Sequence, residues 1–295
     1  MHTEPKIFAN SKCFKLAESP MWHKAQQALY WRGYHGEIYR KQRLNDPDDF
    51  ECFQLNVGKI GSMVFTPTDE ILLFCEGARV WRWVPGCEPT LVYDFEGDVF
   101  NDVLCDSRGR VYCGMLAPNF FDRPNRGKHG SFWLFQNGEM TCLDREISPT
   151  PNGIRLSPEN DRLYFAVTDD NTIYCYDYDA QTGALSNKRV FVDDCRPDGI
   201  AIDAAGNLWV ADCRPDGGVL CYNKEGKMIR RVRVPANRTM SVAFGGADGK
   251  TVFVTTGCAS EGQRNFDGGV FSFQNDVPGA PEHLFPIDNF ISKNP

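Results

Sequence analysis

Aromatic and β-branched residues alternate with polar ones in short runs along almost the whole chain. ALYWRGYHGEIYRK, EILLFCEGARVWRW, RVYCGM, RLYFAV, NLWVAD and TVFVTT are each cut off by Gly, Asp or Asn. A period of two with such punctuation predicts β-strands joined by tight turns, and no stretch carries the apolar stripe of an amphipathic helix. Aligned beneath one another, the runs repeat one template: a turn with small or acidic residues, a strand, a Pro/Asp/Gly break, a second strand, a turn and a third strand. Six copies begin near Glu18, Gly61, Asn101, Asn152, Asp198 and Ser241, spaced 40 to 51 residues apart. That is the spacing of four-stranded propeller blades. The chain is therefore predicted to be one all-β domain, residues 1–295, folded as a six-bladed β-propeller. Fourth strands are expected in DFECFQL, PTLVYDF, EMTCLDR, KRVFVDD and KMIRRVRVP. Chain-end strands from residues 5–16 and 281–291 are expected to complete one blade between them and so remove an open sheet edge. The longest interruption, APNFFDRPNRGKHG, is expected to form a loop over one face.

Composition narrows the choice of partner. Charged residues are 24% and hydrophobic ones 42%, so the chain has both a core and a polar surface to cover it. Acidic residues outnumber basic ones, 39 to 32, for a net charge of −7, which argues against nucleic acid or an anionic membrane as the main partner. The N-terminus lacks a signal-peptide core and no run approaches the roughly 18 apolar residues of a membrane helix, so a cytoplasmic location is expected. The 12 cysteines include no CxxC pair and read as free thiols, with Cys113, Cys175 and Cys221 packing as small hydrophobes.

Candidate chemistry appears where the repeats differ. Residues that open equivalent blades share one end of the innermost strands and converge on the central channel. Glu18, Asn101 with Asp102, Asn152 and Asp198 offer carboxylate or amide oxygens there, whereas blades two and six offer only Gly61, Ser62 and Ser241. Carboxylates crowded on one axis repel unless a cation compensates them, and an all-oxygen set suits Ca²⁺, Mg²⁺ or Mn²⁺ better than zinc held by nitrogen or sulfur. The competing reading is that Asn and Asp in PNG and PDG simply form turns. Asp169, Asp170, Asp212 and Asp216 are read mainly as turn residues, and Arg230, Arg231 and Arg233 as a solvated strand face. His23, His35 and His129 suggest no triad, and GxSxG, HExxH and a phosphate loop are missing.

Five phrases in order, ESPMW with LYW and IYR, ND with DSRGRVYCGM, PNGIRLSPENDRLYF, RPDGIAIDAAGNLWVA and SVAFGGADGKTVFVTT, resemble the family of senescence marker protein (regucalcin), gluconolactonase and luciferin-regenerating enzyme. The resemblance implies a six-bladed propeller with one divalent metal in its channel, held by Glu18, Asn152 and Asp198. Asn101 would contact the metal or its water and the substrate, and Asp102 would support the site. It also implies hydrolysis of sugar lactones with Asp198 activating water, and a cation that is Ca²⁺ or, alternatively, Mg²⁺, Mn²⁺ or Zn²⁺. Two substrate-binding positions depart from the family's pattern: Val99 stands where an Arg is usual, and Pro118 and Asn119 where a Glu is. Phe100, Phe120, Phe121 and Met115 would make the pocket more apolar, with Arg123, Arg126 or His129 supplying replacement contacts. The expected function is metal-dependent opening of a small, sugar-derived lactone, with Asn101, Asp102, Met115, Phe121 and His129 against the substrate. Hydrolysis of a phosphotriester or cyclic imine, or a non-enzymatic calcium-binding role, stand as alternatives.

Overall fold

The computed structural model describes residues 4–10, 16–33, 35–42, 46–120, 129–257 and 267–286. Its 24 strands gather into six four-stranded sheets, each antiparallel throughout. The N-terminal β1 (Lys6–Ala9) is followed by blade one, β2 (Glu18–His23), β3 (Ala28–Arg32), β4 (Glu37–Lys41) and β5 (Glu51–Gln54). Blade two is β6 (Ile60–Phe65), β7 (Ile71–Cys75), β8 (Arg79–Trp83) and β9 (Thr90–Asp94). Blade three is β10 (Phe100–Cys105), β11 (Val111–Met115), β12 (Gly130–Gln136) and β13 (Glu139–Ile147). Blade four is β14 (Pro151–Leu156), β15 (Arg162–Val167), β16 (Thr172–Tyr178) and β17 (Leu185–Val192). Blade five is β18 (Pro197–Ile202), β19 (Leu208–Asp212), β20 (Gly218–Tyr222) and β21 (Met228–Val232). Blade six is β22 (Arg238–Gly245), β23 (Thr251–Gly257) and β24 (Val270–Gln274), with β1 at its outer edge.

Burial explains the sequence pattern. Second strands such as β7, β11 and β19 are buried along their whole length, because each blade packs on a neighbour at both faces, and they read as unbroken apolar runs. Outer strands such as β13 alternate, with one face turned to water. Six apolar clusters join adjacent blades, including Tyr30, Ile60 and Trp83 between blades one and two and Phe8, Trp31 and Phe253 between blades six and one. The punctuation also has a mechanism: Asp106 Oδ1 accepts the amides of Arg108 and Arg110 at 2.8 and 3.0 Å, and Asp203 Oδ1 those of Ala205 and Asn207 at 3.0 and 2.9 Å. These carboxylates close the tight turns between first and second strands.

Ring closure differs from the expectation. β1 alone completes blade six, pairing with β24 through Lys6↔Ser272 and Ile7↔Phe271. Residues 280–286 form no strand; their amides at Ala280 and Phe285 bond Ile202 O at 3.0 Å and Phe65 O at 2.8 Å, so the segment crosses from blade five to blade two. Two prolines, Pro281 and Pro286, remove the donors a strand ladder needs there. Residues 11–15 and 287–291 lie outside the described residues. All ten described cysteines are free thiols.

Candidate active site at the head of the inner strands

Every inner strand carries a β-bulge at its head, between Glu18 and Met21, Ile60 and Ser62, Phe100 and Val103, Pro151 and Ile154, Pro197 and Ile200, and Thr239 and Ser241. An extra residue breaks the alternation and re-aims successive side chains. PNG and PDG are therefore parts of strands β14 and β18 rather than turns. Their glycines are required because neighbouring strand heads pack backbone to backbone: a Cβ on Gly153 would lie 2.8 Å from Asp198 O, and one on Gly61 1.9 Å from Phe100 O. The bulge places Asn101, Asn152 and Asp198 at one equivalent position. Glu18 stands one residue earlier, level with Phe100, Pro151 and Pro197, and Ser241 one later. Blade one accommodates this with Ser19 at φ +47°, a left-handed conformation held by its hydroxyl donating to Gly61 O at 3.0 Å.

Glu18, Asn152 and Asp198 are 7%, 6% and 5% exposed, and Asp102 is half-buried beside them. Burial pushes the Glu18 carboxyl up to about 7; Asp102 adds to the rise, and Arg32 and Arg238 oppose it. Asp198 is raised well above the usual carboxylate range by burial and by the neighbouring charges of Glu18 and Asp102. Asp102 is raised by burial too, against the pull of Arg155 and Arg32. Three acids thus share one desolvated space with three guanidiniums near them, and mutual repulsion makes their ionised forms costly. Arg32 is nearly buried, lies directly across β2–β3 from Glu18, and donates from Nε to Gly61 O at 2.6 Å.

The amides are fixed by a chain of bonds. Thr168 donates its hydroxyl proton to Pro197 O at 2.7 Å, so it accepts from Asn152 Nδ2 at 2.9 Å, which turns Asn152 Oδ1 toward Asn101. Asn101 Nδ2 donates to that oxygen at 3.1 Å and to Pro151 O at 2.8 Å. Both amide protons of Asn101 are then spent, leaving its Oδ1 to offer. A cavity of about 30 Å³, room for one or two waters, is lined by Asp102 on one side and Glu282 and His283 of the 280–286 segment on another, with Ser19 and Arg155 also on its wall.

The donor set fits a hard cation. Glu18, Asp198, Asn152 Oδ1 and Asn101 Oδ1 are all oxygens, and a positive ion would relieve the repulsion between the buried acids. Among the described residues no three His, Cys, Asp or Glu side chains group closely enough to hold a metal by themselves, so amide oxygens would have to complete the shell.

Other expected contacts fall elsewhere. Met115 is 3% exposed and packs in the core between blades two and three, across from Phe100. His129 is exposed just before β12, with Nε2 3.7 Å from Glu146 Oε2. Phe121, with Arg123 and Arg126, lies outside the described residues. Sequence reasoning missed Arg32, Arg155, Arg238 and Thr168; only Thr168 left a signal, as the one hydroxyl following the buried FAV of β15.

A β-propeller with buried carboxylates and amides from several blades gathered at one end of its channel is the class these features define. The chain belongs to the SMP-30/gluconolactonase/LRE-like family, whose model matches residues 16–258. It is 32% identical over 287 residues to pentonolactonase XacC of Haloferax volcanii, covering 91% of this chain and 94% of that one. Its fold is similar to that of a luciferin-regenerating enzyme, with a TM-score of 0.82 and 19% identity over 96% of this chain and 99% of the other. A calcium-binding protein, regucalcin, from Agrobacterium tumefaciens is similar at a TM-score of 0.81 and 24% identity, covering 94% and 97%.

Proposed function

We propose that this protein is a divalent-metal-dependent lactonase that opens a small, sugar-derived lactone to its hydroxy acid. The observation that carries the reading is the convergence of Glu18, Asp102 and Asp198, from three different blades, with the hydrogen-bonded amides Asn101 and Asn152. Family membership and the pentonolactonase relative support lactone hydrolysis as the reaction. Glu18, Asn152 and Asp198 would hold the cation, with Asn101 contacting it or its water; the all-oxygen set favours Ca²⁺. When bound, the ion supplies Lewis-acid polarisation of the lactone carbonyl.

The chain's own residues do the rest. Asp198, whose surroundings raise its affinity for a proton, accepts one from water at a carboxylate oxygen as the water oxygen adds to the carbonyl carbon. Cleavage of the ring C–O bond then returns that proton to the departing alkoxide, so lactone and water become one hydroxy acid. Arg32 and Arg238 offset part of the burial that favours protonated Glu18, and the Asn101–Asn152–Thr168 chain keeps both amides from rotating. Asn101 and Asp102 remain as substrate contacts.

The test is a screen of aldonolactones, simple esters and phosphotriesters on chelator-treated protein, with Ca²⁺, Mg²⁺, Mn²⁺ and Zn²⁺ restored separately. Lactone turnover that vanishes on chelation and returns with a cation is expected. Turnover indifferent to chelation would remove the metal, and a protein inert toward every lactone would remove the reaction.

A further inference from the structure

We infer that the end of the channel remote from the acids holds a second ligand site, which takes a short aliphatic carboxylate with its charge against Arg155. The site is distinct from the one assigned to the lactone and stands whether or not the lactonase reading does.

The space exists because the chain returns across the ring after its last strand. Segment 280–286 is tied to blade five by Ala280 N on Ile202 O at 3.0 Å and to blade two by Phe285 N on Phe65 O at 2.8 Å. Phe285 is 2% exposed in the core between blades two and three, so its side chain anchors that end as well. Beside this strap, against the far ends of β10, β14 and β18, lies a cavity of about 130 Å³. Leu104, Leu156 and Ile202 of the strands and Ala280 and Pro281 of the strap give it an apolar wall. Arg155 is also on that wall, and borders the smaller cavity on the Asp102 side too.

Arg155 is out of keeping with its position. It stands two residues before the turn that Ser157 opens, and the same position before the turns opened by Asp106 and Asp203 carries Leu104 and Ala201. Its side chain is 15% exposed. Nη1 donates to Ile154 O at 2.7 Å, but the buried Nε has no hydrogen-bond partner, and Nη2 bonds no described residue. Glu282 Oε1 is 3.5 Å from Nε, on a side chain half open to solvent, so this ion pair is loose. A buried guanidinium with unspent N–H groups costs stability until something accepts them. Ser157 cannot: its hydroxyl donates to Asp161 Oδ1 at 2.8 Å and accepts the amides of Asp161 and Arg162 at 3.1 Å each. His283 and Asn160, also on the wall, bond no described residue through their side chains and can add donors. Water alone serves such a space poorly, because a buried water needs two to four polar partners and the apolar wall offers none. A molecule with one anionic head and a short apolar body meets both halves: the head displaces Glu282 from Arg155, and the body covers Leu104, Leu156 and Ile202. The volume approaches the roughly 150 Å³ that accommodates benzene, which suits a carboxylate of about four carbons such as butyrate.

The experiment is a calorimetric titration of the full chain with acetate, butyrate and octanoate, run once with Ca²⁺ present and once after chelation. Wild-type protein is expected to bind butyrate with a dissociation constant of about 1 mM, more tightly than either the shorter or the longer acid, and equally with and without the cation. Arg155→Gln should weaken butyrate by at least about tenfold, the loss of a charged hydrogen bond. Glu282→Gln, which removes the competing carboxylate, should tighten it by about threefold. Ala280→Leu, which fills the cavity, should abolish binding. Butyrate that binds only with the cation present, or as well in Arg155→Gln as in wild type, sits elsewhere and overturns the site. So does a protein that takes up no butyrate, or one that binds the three acids alike. Should Arg155→Gln fail to fold, Glu282→Gln decides: tighter binding supports the site, and equal or weaker binding overturns it.

Discussion

Two buried acid–arginine groups, at opposite ends of the inner strands, show opposite ways of burying charge. At the turn of blade three, Asp106 is 0% and Arg110 1% exposed. Asp106 accepts four bonds, from the amides of Arg108 and Arg110, from Arg110 Nε at 2.5 Å and from Tyr178 Oη at 2.7 Å. Arg110 spends its remaining donors on Tyr178 Oη, Ala180 O and Gln181 O. At the head of the inner strands, among the described residues Glu18 accepts only Ser19 N at 3.2 Å, and none donates to the Asp198 carboxylate. The first group is complete without a ligand and ties blade three to blade four. The second is buried at Glu18 and Asp198, yet its acids are left short of donors and pushed toward protonation. A finished network reads as structure; an unfinished one in a channel reads as a site awaiting a cation and a substrate.

The sharpest break of this comparison is Asp198→Asn. Turnover should fall by about 10²–10⁴-fold, the share a positioned general base contributes. Thermal stability should hold or rise, because an amide relieves the buried repulsion. A variant hydrolysing lactone at near-normal rate would discard the base assignment. The mirror change is Asp106→Asn, which leaves Arg110 buried without its counter-charge. It should cost about 3–5 kcal/mol in urea-induced unfolding, with kcat of the folded molecules unchanged. Were the two variants to lose stability and activity in the same proportions, the distinction between the groups would not stand.

The repeat made the fold and most of the donor set readable. Strands announce themselves as short aromatic and β-branched runs cut by turn residues, and residues opening equivalent blades are brought to one place by ring symmetry, so Asn101, Asn152 and Asp198 fall into register in the repeat. The bulge was invisible, because it is a property of pairing rather than of composition. Around it Glu18 falls one residue out of line with the others, and Met115 follows the unbroken alternation of β11 into the same core cluster as Cys113. Arg32 was hidden for a related reason: it opposes Glu18 across β2–β3, at a position no other blade fills with a cation, and only register joins the two. Arg155 and Arg238 are likewise connected to the acids through space. Ring closure differs because Pro281 and Pro286 bracket residues 282–285 and remove backbone donors from PEHLFPIDNFI, which otherwise reads as a strand.

The smallest effect lies at the far end of the strand that begins with Glu18. His23 is 5% exposed, and its ring meets Phe65 edge-on at 4.7 Å between centroids. Its Nδ1 accepts Gln26 N at 3.3 Å. Asp69 Oδ1 stands 3.2 Å from Nε2, but Nε2 makes no hydrogen bond, so the carboxylate helps by charge alone. Burial outweighs that help and holds the imidazole below its usual value of 6.5. The unfolded chain therefore takes up a proton as pH falls through about 6.5, while the folded chain resists until its own lower pKa is reached. Stability tied to neutral His23 is present above that window, is lost across it, and stays lost below. In His23→Gln this part of the acid dependence should vanish, so the difference in unfolding free energy between wild type and variant should change from neutral to mildly acid pH. A difference that stays constant would mean that the imidazole titrates alike in both states, and that only the channel end of β2 carries a carboxyl or imidazole perturbed by its burial.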